Sequence, residues 1–214
     1  MREKIRILLL SSNPSAKSAI FMDEEARVIF EQLQAGPYRD RFQIYSHAAL
    51  CPGDIQKLLL LHVPHVVHFS GDGRNTRQIK LRKLQPRGKL LEQRGLTNVF
   101  ALYNTHLRLV LLNGRFTKAQ ARSVSQVINY SIGAGKGFGD EACATFVAAF
   151  YRALAFGKSV RGAFASAKAE LALTKLPRSR GIQLFIRHGV SERDRFPRLV
   201  PRASETARAP SLAD

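Results

Sequence analysis

Hydrophobic positions along the chain fall into short, nearly unbroken runs separated by stretches with helical spacing. Ile5 to Leu10 reads as a buried strand, ended by the turn-forming stretch Ser11 to Ser15. Asp23, Glu24 and Glu25 then open a helix that runs to about Leu33, because acidic side chains suit the free amides of a first turn. Arg41 to Ser46 is a second strand. Pro52, Gly53 and Asp54 lead a helix to about Leu61, Pro64 closes that connection, and His65 to Phe69 is a third strand.

The same alternation continues. Gln78 to Leu84 reads as a strand in a small hairpin turning at Pro86 to Gly88, and Asn98 to Asn104 as a helix. Leu107 to Leu112 is another buried strand, Ala119 to Val127 another helix, and Asn129 to Ile132 a short strand before a glycine-rich loop. Glu141 to Ala155 carries Ala142, Phe146, Ala149, Phe150 and Ala153 at helical spacing, and Val160 to Leu173 does the same with Ala163, Phe164, Ala167 and Leu171. Ile182 to Ile186 is the last strand. Pro201 to Asp214 is polar with no apolar run to bury, and is read as a disordered tail. Strand and helix in alternation define an α/β domain over residues 1–200, with a mostly parallel sheet covered on both faces.

The 214 residues allow one domain with a real core. Charge changes the picture more: 34 Lys plus Arg stand against 16 Asp plus Glu, a net +18. That balance favours acidic partners and nucleic-acid contact, and is equally the mark of a solvated arginine-rich surface. Between Arg74 and Lys118, eleven basic residues face a single acid, Glu92. The cysteines, Cys51 and Cys143, form no multi-bridge framework or four-cysteine zinc cluster and suit a reducing compartment. Ile5 to Leu10 is too short to span a membrane and no small-residue cleavage pattern follows it. The expected location is the cytoplasm, with no membrane association, cofactor or metal.

Sites on parallel α/β sheets gather at the carboxyl ends of the strands. Two loops stand out there: Ser70-Gly71-Asp72-Gly73 after the third strand, and Asn113-Gly114-Arg115-Phe116-Thr117 after Leu112. His68 is a satisfied core histidine or a base. Asp72 caps nearby loop amides or receives a basic group. Arg115 is surface arginine or a fork for a carboxylate or phosphate, and the two can pair with each other. His68, Ser70, Asp72, Asn113 and Arg115 are thus the candidate binding residues. The glycines at 133, 135, 137 and 139 lack Gly-x-Gly-x-x-Gly spacing, and Lys136 is followed by Gly137 and not by Ser or Thr, so neither nucleotide motif is present. Cys143, in an apolar helix, reads as a buried, inert thiol. Ser70 sits in no nucleophile elbow, and Thr117 has no obvious base.

At these loops the chain resembles the CHAT family, a branch of the caspase- and separase-like cysteine peptidases. Ser11-Ser12-Asn13-Pro14 matches its Ser-x-Asn-Pro. His68-Phe69-Ser70-Gly71-Asp72-Gly73 stands where the family has His-Phe-Ser-Gly-His-Gly, and Leu112-Asn113-Gly114-Arg115 where it has Leu-Asn-Ala-Cys. Ile132-Gly133, Asp140, Ala142, Phe146 and Phe150-Tyr151-Arg152-Ala153-Leu154 resemble its closing segment, extended by Gly157, Ser159-Val160, Ala163 and Ala167. The resemblance runs from about Ile5 to Ala169 and implies a caspase-like three-layer sandwich.

It also implies a lost active site, since the family's catalytic histidine falls on Asp72 and its catalytic cysteine on Arg115. A carboxylate with a pKa ordinarily about 4 is a poor base for a thiol near neutrality. A guanidinium stays protonated and cannot attack a carbonyl. The leading expectation is a catalytically inactive, pseudopeptidase module that binds a protein partner. The alternatives are an anion- or nucleic-acid-binding face over residues 74–118, an active cysteine peptidase with a relocated nucleophile, and a decayed remnant.

Overall fold

The computed structural model describes residues 4–12, 16–48, 52–71, 93–113, 117–135, 138–176 and 181–190. The expected hairpin at 78–88, Cys51, Asp72, Arg115, Lys136 and the 201–214 tail lie outside them.

Among the described residues six strands form one sheet: β1 (Ile5–Ser12), β2 (Phe42–His47), β3 (Val66–Gly71), β4 (Leu109–Asn113), β5 (Tyr130–Ala134) and β6 (Ile182–Ile186). Their order is β2-β1-β3-β4-β5-β6. The first five run parallel and β6 is antiparallel to β5. The helices are α1 (Ala16–Gln34), α2 (Pro52–His62), α3 (Gln93–Ala101), α4 (Lys118–Val124), α5 (Asp140–Ala155) and α6 (Val160–Thr174).

Strand side chains alternate between faces, so each central strand feeds two cores. Ile7, Leu9, Val66, Leu109, Leu111 and Ile132 point to the face covered by α1, α5 and α6. Leu8, Leu10, Val67, Phe69, Val110 and Leu112 point to the face covered by α2, α3 and α4. The result is the expected α/β three-layer sandwich with a mostly parallel central sheet. On the first face Phe146 stacks on Phe150 and meets Phe164 and Phe138 edge-on. The Ser159 hydroxyl caps α6 by accepting from the Gly162 amide at 3.0 Å. Ser159→Ala is expected to lower stability by about 1 kcal/mol, read from the urea midpoint.

Several boundaries differ from the sequence pattern. α1 begins at Ala16, so Asp23, Glu24 and Glu25 lie within it and do not open it. α3 starts earlier than Asn98 and ends at Ala101, where turns follow. Gly133 belongs to β5 and not to the glycine-rich loop, as its buried place in the sheet requires. From β1 the chain crosses to β2 at the sheet edge, then returns to lay β3 on the other flank of β1. The order therefore reverses between β1 and β3, the position where α/β sheets open a crevice at their carboxyl ends.

Candidate functional site

Register and alternation assemble a polar row at the carboxyl end of the sheet. Ser11 lies opposite Ser70, and Ser70 opposite Asn113. One layer deeper on the same face, Leu9 is opposite His68 and His68 opposite Leu111. Three of the five candidate residues, His68, Ser70 and Asn113, are thus neighbours on the face beneath α1 and α5. The other two, Asp72 and Arg115, lie outside the described residues, just past the ends of the adjacent strands β3 and β4.

The two helices add three residues that the sequence reading did not place there. Glu25 comes from α1, one turn before the buried Ile29. Cys143 and Tyr151 come from α5, two turns apart. Glu25 is the centre: the Ser70 hydroxyl donates to its Oε2 and the Asn113 amide to its Oε1. The Cys143 thiol donates in turn to the Asn113 carbonyl oxygen. His68 Nε2 lies 3.2 Å from Glu25 Oε1, with its N–H off the line of a hydrogen bond. His68 Nδ1 is 3.0 Å from the Tyr151 hydroxyl. The His68 ring thus lies between the Tyr151 hydroxyl and the Glu25 carboxylate, and the Ser70 hydroxyl and Asn113 amide both donate to that carboxylate.

Electrostatics follow from this convergence. Burial pushes the Glu25 carboxyl up, but the attraction of the His68 ring and the hydrogen bonds from its neighbours outweigh it and hold the group below the usual 4.5. Burial, then the negative Glu25, pushes the Tyr151 phenol well above 10.0. A crevice of about 20 Å³ opens beside the carboxylate, lined by Ser11, Ser46, His68 and Ser70, with room for one water-sized group. The buried Ser11 hydroxyl has no hydrogen-bond partner among the described residues.

The arrangement differs from a cysteine-peptidase dyad. Attack on a carbonyl needs a thiolate beside an imidazole. The Cys143 sulfur meets the Asn113 carbonyl oxygen, and among the described residues Asn113 and Glu25 stand between it and His68. Cys143 is half-buried, packed against the apolar core with its sulfur on Asn113, and not fully buried as the sequence pattern suggests. Among the described residues no group of three or more His, Cys, Asp or Glu can hold a metal, and no helix is long and apolar enough to cross a membrane.

Thr117 ties the second candidate loop down. Its hydroxyl donates to the Leu112 carbonyl at 2.9 Å and accepts from the Ala134 amide at 2.9 Å, joining the ends of β4 and β5 across residues 114–116. Thr117→Val keeps the shape and removes both bonds. A loss of about 1–3 kcal/mol in chemical denaturation is expected, because the Ala134 amide is left buried without that acceptor.

No protein-family model matches the chain, and no curated protein matches it in sequence. In three dimensions it is similar to a secreted C11 cysteine protease from Bacteroides thetaiotaomicron, whose structure was solved in complex with an irreversible peptide inhibitor. The TM-score is 0.58 at 10% identity, over 86% of this chain and 66% of the protease chain. The chain therefore spans just under two thirds of that protein, and the likeness is one of fold. The architecture is caspase-like.

Proposed function

We propose that this chain is a caspase-like domain of the CHAT type that lacks peptidase chemistry and binds a protein partner at the carboxyl ends of β3 and β4. The observation that carries the reading is the engagement of its polar groups. The Cys143 thiol is spent on Asn113, and the Asn113 amide and Ser70 hydroxyl on Glu25, while His68 lies between Glu25 and Tyr151. Asp72 and Arg115 stand where the resembled family carries histidine and cysteine. A carboxylate and a guanidinium suit recognition of a charged segment and not acyl transfer. A cytoplasmic setting agrees with two cysteines and no disulfide framework.

The test is a peptidase assay of the purified chain against a panel of fluorogenic peptides, with and without host extract. No turnover above buffer is expected, and no labelling by an irreversible peptide inhibitor. Hydrolysis that disappears in Cys143→Ala or Cys51→Ala would overturn the reading in favour of a relocated nucleophile. Partner binding is expected to weaken when Asp72 and Arg115 are exchanged for Lys and Glu.

The basic stretch from Arg74 to Lys118 supports a second reading, an anion- or nucleic-acid-binding face. It predicts affinity for DNA or RNA that falls steeply with salt; no mobility shift at moderate salt would dismiss it.

A further inference from the structure

Charge is divided between the two sides of the sheet. α1, the connection from α1 to β2, α5 and α6 carry acids among their bases. There Arg27 pairs with Glu31 at 2.8 Å and Arg152 with Glu170 at 2.6 Å. On the side of α2, α3 and α4, Asp54 in the first turn of α2 is the only acid among the described residues. Residues 93–113, 117–135 and 181–190 contain none.

Three arginines of that side gather at the amino end of the sheet, the end opposite the Glu25 network. The Tyr130 amide donates to the Arg108 carbonyl and the Arg187 amide to the Asn129 carbonyl, so Arg108, Asn129 and Arg187 stand level at the margins of β4, β5 and β6. Strands about 4.8 Å apart put the two arginine backbones roughly 10 Å from each other. Each adjoins a residue of the first core, Leu109 or Ile186, so alternation turns both to the α4 side. Arg122, in the last turn of α4, lies 5.7 Å over the Phe185 ring. Phe185 stands two residues before Arg187 on the same side of β6. Arg187 Nη1 donates to the Val127 carbonyl at 3.2 Å. Arg108 and Arg122 are exposed. A ring and a carbonyl thus orient two of the guanidiniums without cancelling their charge.

We propose that Arg108, Arg122 and Arg187 form a seat for the phosphate backbone of a nucleic acid. The inference rests on the anion-binding reading above and gives it a place; Arg122 and Arg187 lie outside the basic stretch that suggested it. A guanidinium fork holds a phosphate through two parallel hydrogen bonds. Forks roughly 10 Å apart outreach one phosphate, but a repeating backbone meets them in series, since that interval is about three nucleotides of duplex rise. A protein partner would need an apolar anchor at the centre of its footprint, and the ring at this seat, Phe185, lies under Arg122. The neighbouring His106 registers the local field: burial, then Arg6 and Arg108, lower its pKa below 6.5.

Fluorescence anisotropy of a labelled DNA duplex of about 20 base pairs, titrated with the full chain over a range of KCl, tests this. Exchanging Arg108, Arg122 and Arg187 together for Gln is expected to weaken binding at least roughly tenfold and to flatten the slope of log affinity against log salt by up to about 3. The control exchanges Arg27, Lys168 and Lys175, on α1 and at α6, for Gln. Both triple variants remove three of the 34 basic residues, so net charge falls equally. The control is expected to bind within about twofold of the wild type. Circular dichroism confirms that both are folded. Equal weakening by the two triples would overturn the seat in favour of a net-charge effect. Full binding by the first triple would overturn it and leave the 74–118 face standing. No binding by the wild type at low salt would overturn both. Displacement of the duplex by polyglutamate at equal charge concentration would overturn the choice of nucleic acid.

Discussion

Glu25→Ala is expected to lose about 3–5 kcal/mol of folding stability, seen as a large fall in the urea midpoint at neutral pH. The carboxylate is 16% exposed and lies between α1 and the sheet. Removing it strands the Ser70 hydroxyl and the Asn113 amide, which donate to it, and takes the carboxylate from beside His68, itself 1% exposed. Each then sits in a low-dielectric layer with no acceptor from Glu25, and the loss of one member of a buried polar group costs more than the group contributes intact. Glu25→Gln separates charge from shape. It keeps the volume and one carbonyl oxygen, but it adds donors to a site already crowded with them. Its cost is expected to fall between that of alanine and zero.

The pH dependence gives an independent reading of the same residue. The folded carboxyl titrates below 4.5, and the unfolded chain regains the ordinary value. The unfolded state therefore takes up the proton first on acidification. The stabilisation is present in full above about pH 4.5 and drains away as pH falls through the folded value. Comparison of wild type with Glu25→Gln isolates this from the other carboxylates: the gap between them is expected to narrow on acidification. A gap that stays constant down to about pH 3 would show that folding leaves the proton affinity of Glu25 unchanged, and a shift of the gap in favour of the wild type on acidification would show that Glu25 is neutral in the folded protein.

Glu25 also shows where the sequence stops being readable. Asp23, Glu24 and Glu25 satisfy the rule for a helix first turn, but α1 starts at Ala16 and the trio is mid-helix. Once the start is known, Glu25, Ile29 and Leu33 fall four residues apart on one buried stripe. A carboxylate on that stripe signals an inward charge. Cys143, Val147 and Tyr151 show the same spacing on α5, and only the sheet register reveals that this stripe ends over Asn113 and His68. The strands were legible because buried parallel strands read as unbroken apolar runs, from Ile5 to Leu10 and from Leu107 to Leu112. The Ile182–Ile186 strand was found at its true bounds, yet its antiparallel sense was not, because side-chain alternation carries no direction. His68, Ser70 and Asn113 were placed at the strand ends by pattern; their shared face follows from a period of two combined with a register that no local signal encodes.

Gly133→Ala is expected to lower stability by about 1–3 kcal/mol or more, a fall of roughly 2–4 °C in melting temperature for each kcal/mol. A Cβ at Gly133 would lie 2.7 Å from the Thr117 carbonyl oxygen, 3.0 Å from its carbon and 2.6 Å from the Ala121 Cβ. Backbone cannot swing aside as a side-chain tip can. Moving the Thr117 carbonyl breaks its 2.8 Å bond from the Ala121 amide, which starts α4. It also drags the Thr117 hydroxyl from Leu112 and Ala134, the two bonds that close the loop carrying Arg115. The same glycine-to-alanine change supplies its own control. Gly53 in α2 and Gly95 in α3 have nothing within 4 Å of a new Cβ, and alanine there should be neutral or stabilising by about 0.4–1 kcal/mol through the stiffer unfolded chain. The sign of the effect thus separates a packing demand at β5 from the general cost of glycine. If Gly133→Ala melted with Gly53→Ala, β5 and α4 would have to pack more loosely than this contact requires, and the Thr117 bridge between Leu112 and Ala134 would tolerate movement.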